Sequence, residues 1–264
     1  MSEFKDKVIW ITGATSGIGE ALAFNFAKRE ARLILSGRRE EELKRVAALT
    51  KLPDLDIMIL PFDLNDTSNA TGLAAQVMNK FGKIDILINN GGQSQRSEAI
   101  ATDEETERNL FEVNYFSAVN LSKAVLPYMV KNKVGQIVVV SSIAGKFGFY
   151  LRSSYSAAKH ALYGYFESLR LENESKGINV LMVCPGKVKT NISLNASSPN
   201  GTHNKMDESH ENAMSAEEAA KQIINGISKK KEEIFVGGKE LMILKIKRFF
   251  PKWFGKIIRK QCPY

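Results

Sequence analysis

The chain has 264 residues, 44% hydrophobic and 25% charged, ordinary globular usage that points to neither disorder nor a fibrous class and suffices for one large domain. Two cysteines, Cys184 in an apolar run and Cys262 near the end, are too few for a disulfide framework and fit a reducing, cytoplasmic setting; no window is apolar enough for a spanning helix. The net charge of +8 is confined to the C-terminal part: from Lys221 onward there are 12 Lys/Arg against 3 Asp/Glu, leaving 25 against 26 upstream.

Apolar runs of strand length alternate with helical patterns. KVIWIT (7–12) precedes IGEALAFNFAKRE (18–30), RLILSG (32–37) precedes REEELKRVAAL (39–49), and IMILPFDL (57–64) precedes NATGLAAQVMNKFG (69–82). IDILINN (84–90) leads into one long predicted helix over 104–132, and GQIVVVSS (135–142) into a helix over 153–172. INVLMVCPG (178–186) and EEIFVGG (232–238) flank a polar stretch and the helix SAEEAAKQIINGISK (215–229). Seven strands without polar alternation predict an α/β fold: a doubly wound, seven-stranded parallel sheet with helices on both faces, in a single domain over 1–264. Ligands of such sheets sit at the carboxyl ends of the strands, where Gly13, Gly37, Asp63, Asn90, Ser142 and Pro185 fall.

The polar stretch over 193–212 is long for a compact domain, and a substrate lid over about 187–214 is the functional reading. His203 and His210 share it with Asp207, Glu208 and Glu211, but the spacing matches neither a zinc nor a calcium site, so no metal is expected. His160 neighbours Lys159 on a different helix face. Beyond about 239 the chain continues as a basic, aromatic helical extension, LMILKIKRFFPKWFGKIIRK (241–260). That composition suits an interfacial helix in peripheral membrane contact, or a basic helix covering the body with a solvated outer face, the reading preferred here. Nucleic-acid binding is not expected, since no recognition motif accompanies the charge.

Two constellations carry chemistry. Gly13, Gly17 and Gly19 lie between a strand and a helix, together with Thr15, Ser16 and Ile18, where a bare backbone can approach a pyrophosphate. After the second strand, where an acid would serve the ribose of NAD, stand Arg38 and Arg39; a guanidinium matches a 2′-phosphate, so NADP(H) is expected over NAD(H). The alternative is a solvated helix start with both arginines paired to 40–42. Downstream, Tyr155 and Lys159 are four apart and share a helix face, where the cation is expected to lower the phenol pKa for proton transfer.

With these motifs in place the chain resembles the short-chain dehydrogenase/reductase family, a Rossmann fold, over nearly its whole length. The cofactor turn T-G-x-x-x-G-x-G is matched by Thr12, Gly13, Gly17 and Gly19; the N-N-A-G segment by Asn89, Asn90, Gly91 and Gly92, with Gly91 replacing alanine. The resemblance implies that Asp63, followed by Leu64, contacts adenine, and that Pro185, Gly186, Val188 and Thr190 reach the nicotinamide carboxamide. It implies Asn114, Ser142, Tyr155 and Lys159 as the catalytic set, with Ser142 preferred to Ser141 because the family serine lies thirteen residues before its tyrosine. Asn114 would hold a water linking Lys159 to solvent. The expected function is hydride transfer between NADP(H) and a small apolar ketone or secondary alcohol. Other readings are a 3-oxoacyl carrier-protein reductase and, from another class, a non-catalytic NADPH-binding sensor or scaffold. The family also implies a homodimer or homotetramer.

Overall fold

The apolar runs pair as parallel strands because their side chains are buried on both faces. The structure is a computed structural model that describes residues 3–194, 196–198, 201–202 and 213–262. Its main sheet is built from β1 (Val8–Thr12), β2 (Arg32–Ser36), β3 (Ile57–Ile59), β4 (Ile86–Asn89), β5 (Gly135–Val140), β6 (Ile178–Pro185) and β9 (Glu233–Val236), ordered β3-β2-β1-β4-β5-β6-β9 and parallel throughout. The helices are α1 (Gly17–Ala27), α2 (Glu40–Thr50), α3 (Ala70–Phe81), α4 (Glu104–Phe111), α5 (Ser117–Lys131), α6 (Ser153–Asn173), α7 (Ala216–Ser228), α8 (Met242–Phe249) and α9 (Pro251–Arg259).

Alternate residues of β1 divide the core between the two faces. Ile9 and Ile11 pack with Leu22 and Phe26 of α1, Leu43 of α2 and Ile223 of α7, whereas Val8 and Trp10 pack with Leu73 of α3, Leu121 of α5 and Phe166 of α6. All five β1 side chains are buried, each contributing roughly 1.5–3 kcal/mol for the large apolar ones. The Trp10 indole meets its polar need by donating to Ser36 Oγ at 2.9 Å. From β1 the chain winds outward through β2 and β3, then returns to β4 on the other side of β1. The loops after β1 and β4 therefore diverge at one point, which opens a crevice at the strands' carboxyl ends.

Three features depart from the sequence reading or go beyond it. The long helix expected over 104–132 is interrupted between α4 and α5 by a π turn, Glu112–Phe116, centred on Asn114. Within the polar stretch, β7 (Ser197–Ser198) and β8 (Gly201–Thr202) form a small antiparallel ladder, and Ser197 also bridges to Gln95; residues 203–212, with His203, His210, Asp207, Glu208 and Glu211, lie outside the described residues. In the extension, Leu241, Ile243, Leu244, Phe254 and Ile258 pack around Ile143, Phe147 and Cys184, so one face of α8 and α9 does cover the body. No helix among the described residues is long and apolar enough to cross a membrane.

Candidate active site

The crevice is a cleft of about 910 Å³. At its β1 end Gly13 has φ +65°, and a Cβ there would lie 2.7 Å from Gly91 Cα; at Gly19 a Cβ would lie 2.2 Å from the Gly13 carbonyl oxygen. Only glycine fits such an approach, and the bare turn leaves the N-terminus of α1 open to the cleft. The Thr12 hydroxyl accepts from the amides of Asn90 (3.0 Å) and Gly91 (3.1 Å), and Asn90 Nδ2 donates to the carbonyls of Thr12 and Gly13, which locks the β1 and β4 loops together. A Cβ on Gly91 would fall 2.3 Å from Leu64 Cδ1, so the glycine in place of alanine lets Leu64 close on the turn. The arrangement fits a dinucleotide: an amide-lined turn for the pyrophosphate at one end, polar groups at the other.

Thr15, Ser16, Gly17, Ile18, Asp63, Leu64, Asn90, Gly91, Pro185, Gly186, Val188 and Thr190 all border the cleft, as do Arg38 and Arg39. Gly19 does not; it lies beneath Gly13 as the contact that shapes the turn. Arg39 donates to Thr15 Oγ1 at 3.0 Å, and Arg38 approaches Asp63 at 3.9 Å. The glutamates after them are taken by Lys44 (Glu40 and Glu41) and Arg45 (Glu42). Both guanidiniums thus face the cleft, not the acids of α2.

Farther along, Ser142, Tyr155 and Lys159 border the same space. Ser142 caps the turn after β5 by accepting from the Ala144 amide at 3.1 Å, and its hydroxyl lies close enough to the Tyr155 phenol to influence its protonation. Ser141 borders the cleft too, with its hydroxyl donating to the Lys159 carbonyl at 3.1 Å. Lys159 Nζ donates to the Val140 carbonyl at 2.9 Å and lies 5.8 Å from the Tyr155 ring centre. Asn114 is a layer behind: its Nδ2 donates to the carbonyls of Gln93 and Leu110, and its Oδ1 accepts from the Gln93 amide. Gly92 stands between that Oδ1 and Lys159 Nζ; a Cβ on it would be 2.8 Å from the first and 3.5 Å from the second. The π turn presents Asn114 to residues 92–93, since the widened turn rotates the residue off the regular helical face.

The electrostatics correct one expectation. Tyr155 is buried, and burial pushes its phenol above the ordinary value; the Arg152 charge and the Ser142 hydroxyl pull the other way. Lys159 is buried as well, and burial lowers its ammonium to about 8. Desolvation, not the lysine charge, dominates the tyrosine.

Sequence reasoning missed three neighbours. Arg152 and Arg96 border the cleft beside Tyr155, and burial, then the charge of Arg152, lowers the Arg96 guanidinium to about 10. Gln95 is fully buried: its Oε1 accepts from the amides of Ser154 (3.0 Å) and Tyr155 (3.2 Å), and its Nε2 donates to the hydroxyls of Ser97, Thr102 and Ser153. It satisfies first-turn amides of α6 from another segment. Its only signal in sequence is proximity to the N-N-G-G run.

Comparison with known proteins agrees with this geometry. The family described as short chain dehydrogenase matches residues 7–201. Dehydrogenase/reductase SDR family member 7 from Homo sapiens is 39% identical over 98% of this chain and 78% of its own length, and the Drosophila melanogaster SDR family protein 7-like is 40% identical over 89% of this chain and 74% of its own. A short-chain dehydrogenase from Streptomyces avermitilis superposes with a TM-score of 0.79 at 28% identity, covering 97% of this chain and 99% of that one. A Sphingobium yanoikuyae short-chain dehydrogenase in complex with NADPH gives 0.77 at 27% identity, covering 87% of each chain. A glycine turn at the sheet's switch point, a serine, tyrosine and lysine along one cleft, and these likenesses over nearly the full chain place the protein among the NAD(P)-binding oxidoreductases of the short-chain dehydrogenase/reductase family.

Proposed function

We propose that the protein is an NADP(H)-dependent reductase of an apolar ketone. The observation that carries this reading is that the Tyr155 phenol, the Ser142 hydroxyl and Lys159 share one cleft with Arg38 and Arg39. The two arginines support NADP(H), because a guanidinium pair matches a 2′-phosphate and no carboxylate of α2 neutralises it. Ile143, Phe149 and Ile192 on the cleft wall support an apolar substrate.

The bound nicotinamide would supply a hydride to the carbonyl carbon. Tyr155 holds its proton because burial disfavours the phenolate, and donates it from Oη to the carbonyl oxygen. Ser142 hydrogen-bonds the same oxygen and stabilises the charge that develops there. Lys159, whose Nζ donates to the Val140 carbonyl, would hold the ribose.

A spectrophotometric panel of ketones with NADPH and NADH tests the reading. Tyr155→Phe is expected to cut turnover at least about 100-fold while NADPH binding survives. Undiminished turnover in that variant refutes the proton-donor role. NADPH binding without oxidation across the panel would instead mark a sensor or scaffold.

A further inference from the structure

The outer face of the C-terminal extension presents a feature that the reductase chemistry leaves unused. Between residues 242 and 262 there are seven Lys/Arg and no Asp/Glu. The inner face of α8 and α9 is already packed on the body, with Phe254 edge-on to Phe147 at 5.1 Å and Lys247 bonded to the Lys146 carbonyl. At the corner between the two helices, however, Phe249, Phe250 and Trp253 are 66%, 61% and 55% exposed, and Phe250 and Trp253 contact each other edge to face. Three large aromatic side chains left in water at a single bend, with Lys245, Arg248, Lys252 and Lys256 exposed around them, are more than a solvated basic face requires.

We propose that this corner docks on an anionic lipid bilayer, with the aromatic residues entering the headgroup region and the cations meeting lipid charge. The chemistry favours a bilayer over the other occupants. A second copy docking face to face would set one cluster of like charges against another. A nucleic-acid duplex would use the cations but keeps its bases stacked inside, leaving the aromatic corner in water. An interfacial helix needs both parts, and each cation near the surface adds roughly fivefold in affinity. Ile258 and Gln261, at the opposite end of α9 from this corner, border the catalytic cleft, so docking through this helix would bring the cleft close to the membrane surface, where apolar ketones concentrate. That substrate route rests on the reductase reading; the docking does not.

The chain contains its own reporter. It has two tryptophans, and Trp10 is wholly buried, so a change in tryptophan emission on adding vesicles reads Trp253. With phosphatidylcholine vesicles containing about 30% phosphatidylserine at low salt, the full-length protein is expected to sediment with lipid and shift its emission to the blue, and to do neither with phosphatidylcholine alone. The Phe249→Ser/Phe250→Ser variant is expected to lose at least about tenfold in apparent affinity, and Lys252→Glu/Lys256→Glu to lose binding at every salt concentration. Turnover of a water-soluble ketone by the double-serine variant should match the unsubstituted protein, which separates a docking failure from a failure of the reductase reading. Sedimentation without a blue shift, equal binding by the double-serine variant, or a blue shift that follows self-association in lipid-free buffer would each overturn the proposal.

Discussion

Replacing Gln95 by leucine tests whether Tyr155, the proposed proton donor, depends on a residue sixty positions upstream. The substitution keeps the side chain's bulk but removes the oxygen that accepts from the Ser154 and Tyr155 amides and the nitrogen that serves three hydroxyls. The hydroxyls can re-pair: Ser97 and Thr102 already lie 2.6 Å apart. The two amides, buried at the first turn of α6, cannot. Leaving a buried donor unsatisfied costs about 1–3 kcal/mol, so the pair is expected to lower stability by roughly 2–4 kcal/mol after some fraying. Fraying would displace Tyr155 itself, and a shift of about 1 Å at a reacting group can cost ~100-fold, so kcat is expected to fall by about 10–100-fold. Affinity for NADPH should hold, because the turn at Gly13 and the arginines stand on other elements. Urea denaturation and steady-state kinetics, run well below the transition, read the two effects separately. Gln95→Glu is the control: a carboxylate still accepts from both amides, and the three hydroxyls can reverse to donate to it, so kcat should recover to within about threefold. A leucine variant with unchanged kcat would show that other contacts hold the start of α6 and would refute this coupling.

Two further outcomes follow from charge. Arg38→Ala/Arg39→Ala is expected to reduce the preference for NADPH over NADH, read as the ratio of kcat/KM values, by about 10–100-fold, mostly through KM for NADPH; an unchanged ratio refutes the 2′-phosphate assignment. Lys159 has a folded-state pKa lowered from 10.5 to about 8 by burial, so the folded state binds fewer protons than the unfolded one between those values. Stability from this group is therefore present above 10.5 and lost as pH falls through about 8. Lys159→Met should be more stable than the unsubstituted protein by on the order of 3 kcal/mol near neutral pH, with the gain vanishing toward pH 10.5, measured by denaturation across pH. A pH-independent difference would show that the lysine is not desolvated as described.

What could be read in the sequence is what composition and spacing encode directly. β1 as far as Ile11, and β5 from Ile137 to Val140, are apolar without interruption because both faces of the sheet are covered, and that pattern survives in a single chain. The glycine turn and the Tyr155–Lys159 pair are local, so their spacing suffices. The π turn at Asn114 is different: a hydrogen-bond slip leaves the apolar pattern of 104–132 intact, so nothing in the periodicity announces it. Gln95 and Arg152 act across the fold through the bridge between Ser97 and Arg152, a contact over 55 positions that no motif records. For the extension, composition posed packed cover and interfacial helix as alternatives. The helices have two faces, and the inner one answers only half of the question.

The corrected electrostatics also bear on the direction of catalysis. A phenol whose pKa is raised by burial is protonated throughout the neutral range, which is the form needed to donate to a carbonyl oxygen; oxidation of an alcohol needs the phenolate. The two directions should therefore respond to pH in opposite ways. Ketone reduction is expected to stay level between about pH 6 and 8, whereas alcohol oxidation should climb with pH without reaching a plateau below about 9. Arg152 is the charge that opposes the rise, so Arg152→Leu should push the onset of oxidation to still higher pH while leaving neutral reduction less affected. A plateau in oxidation near neutrality would mean that the phenolate forms easily. Burial would then not be what sets the tyrosine, and the assignment of the protein as a reductase would lose its electrostatic support.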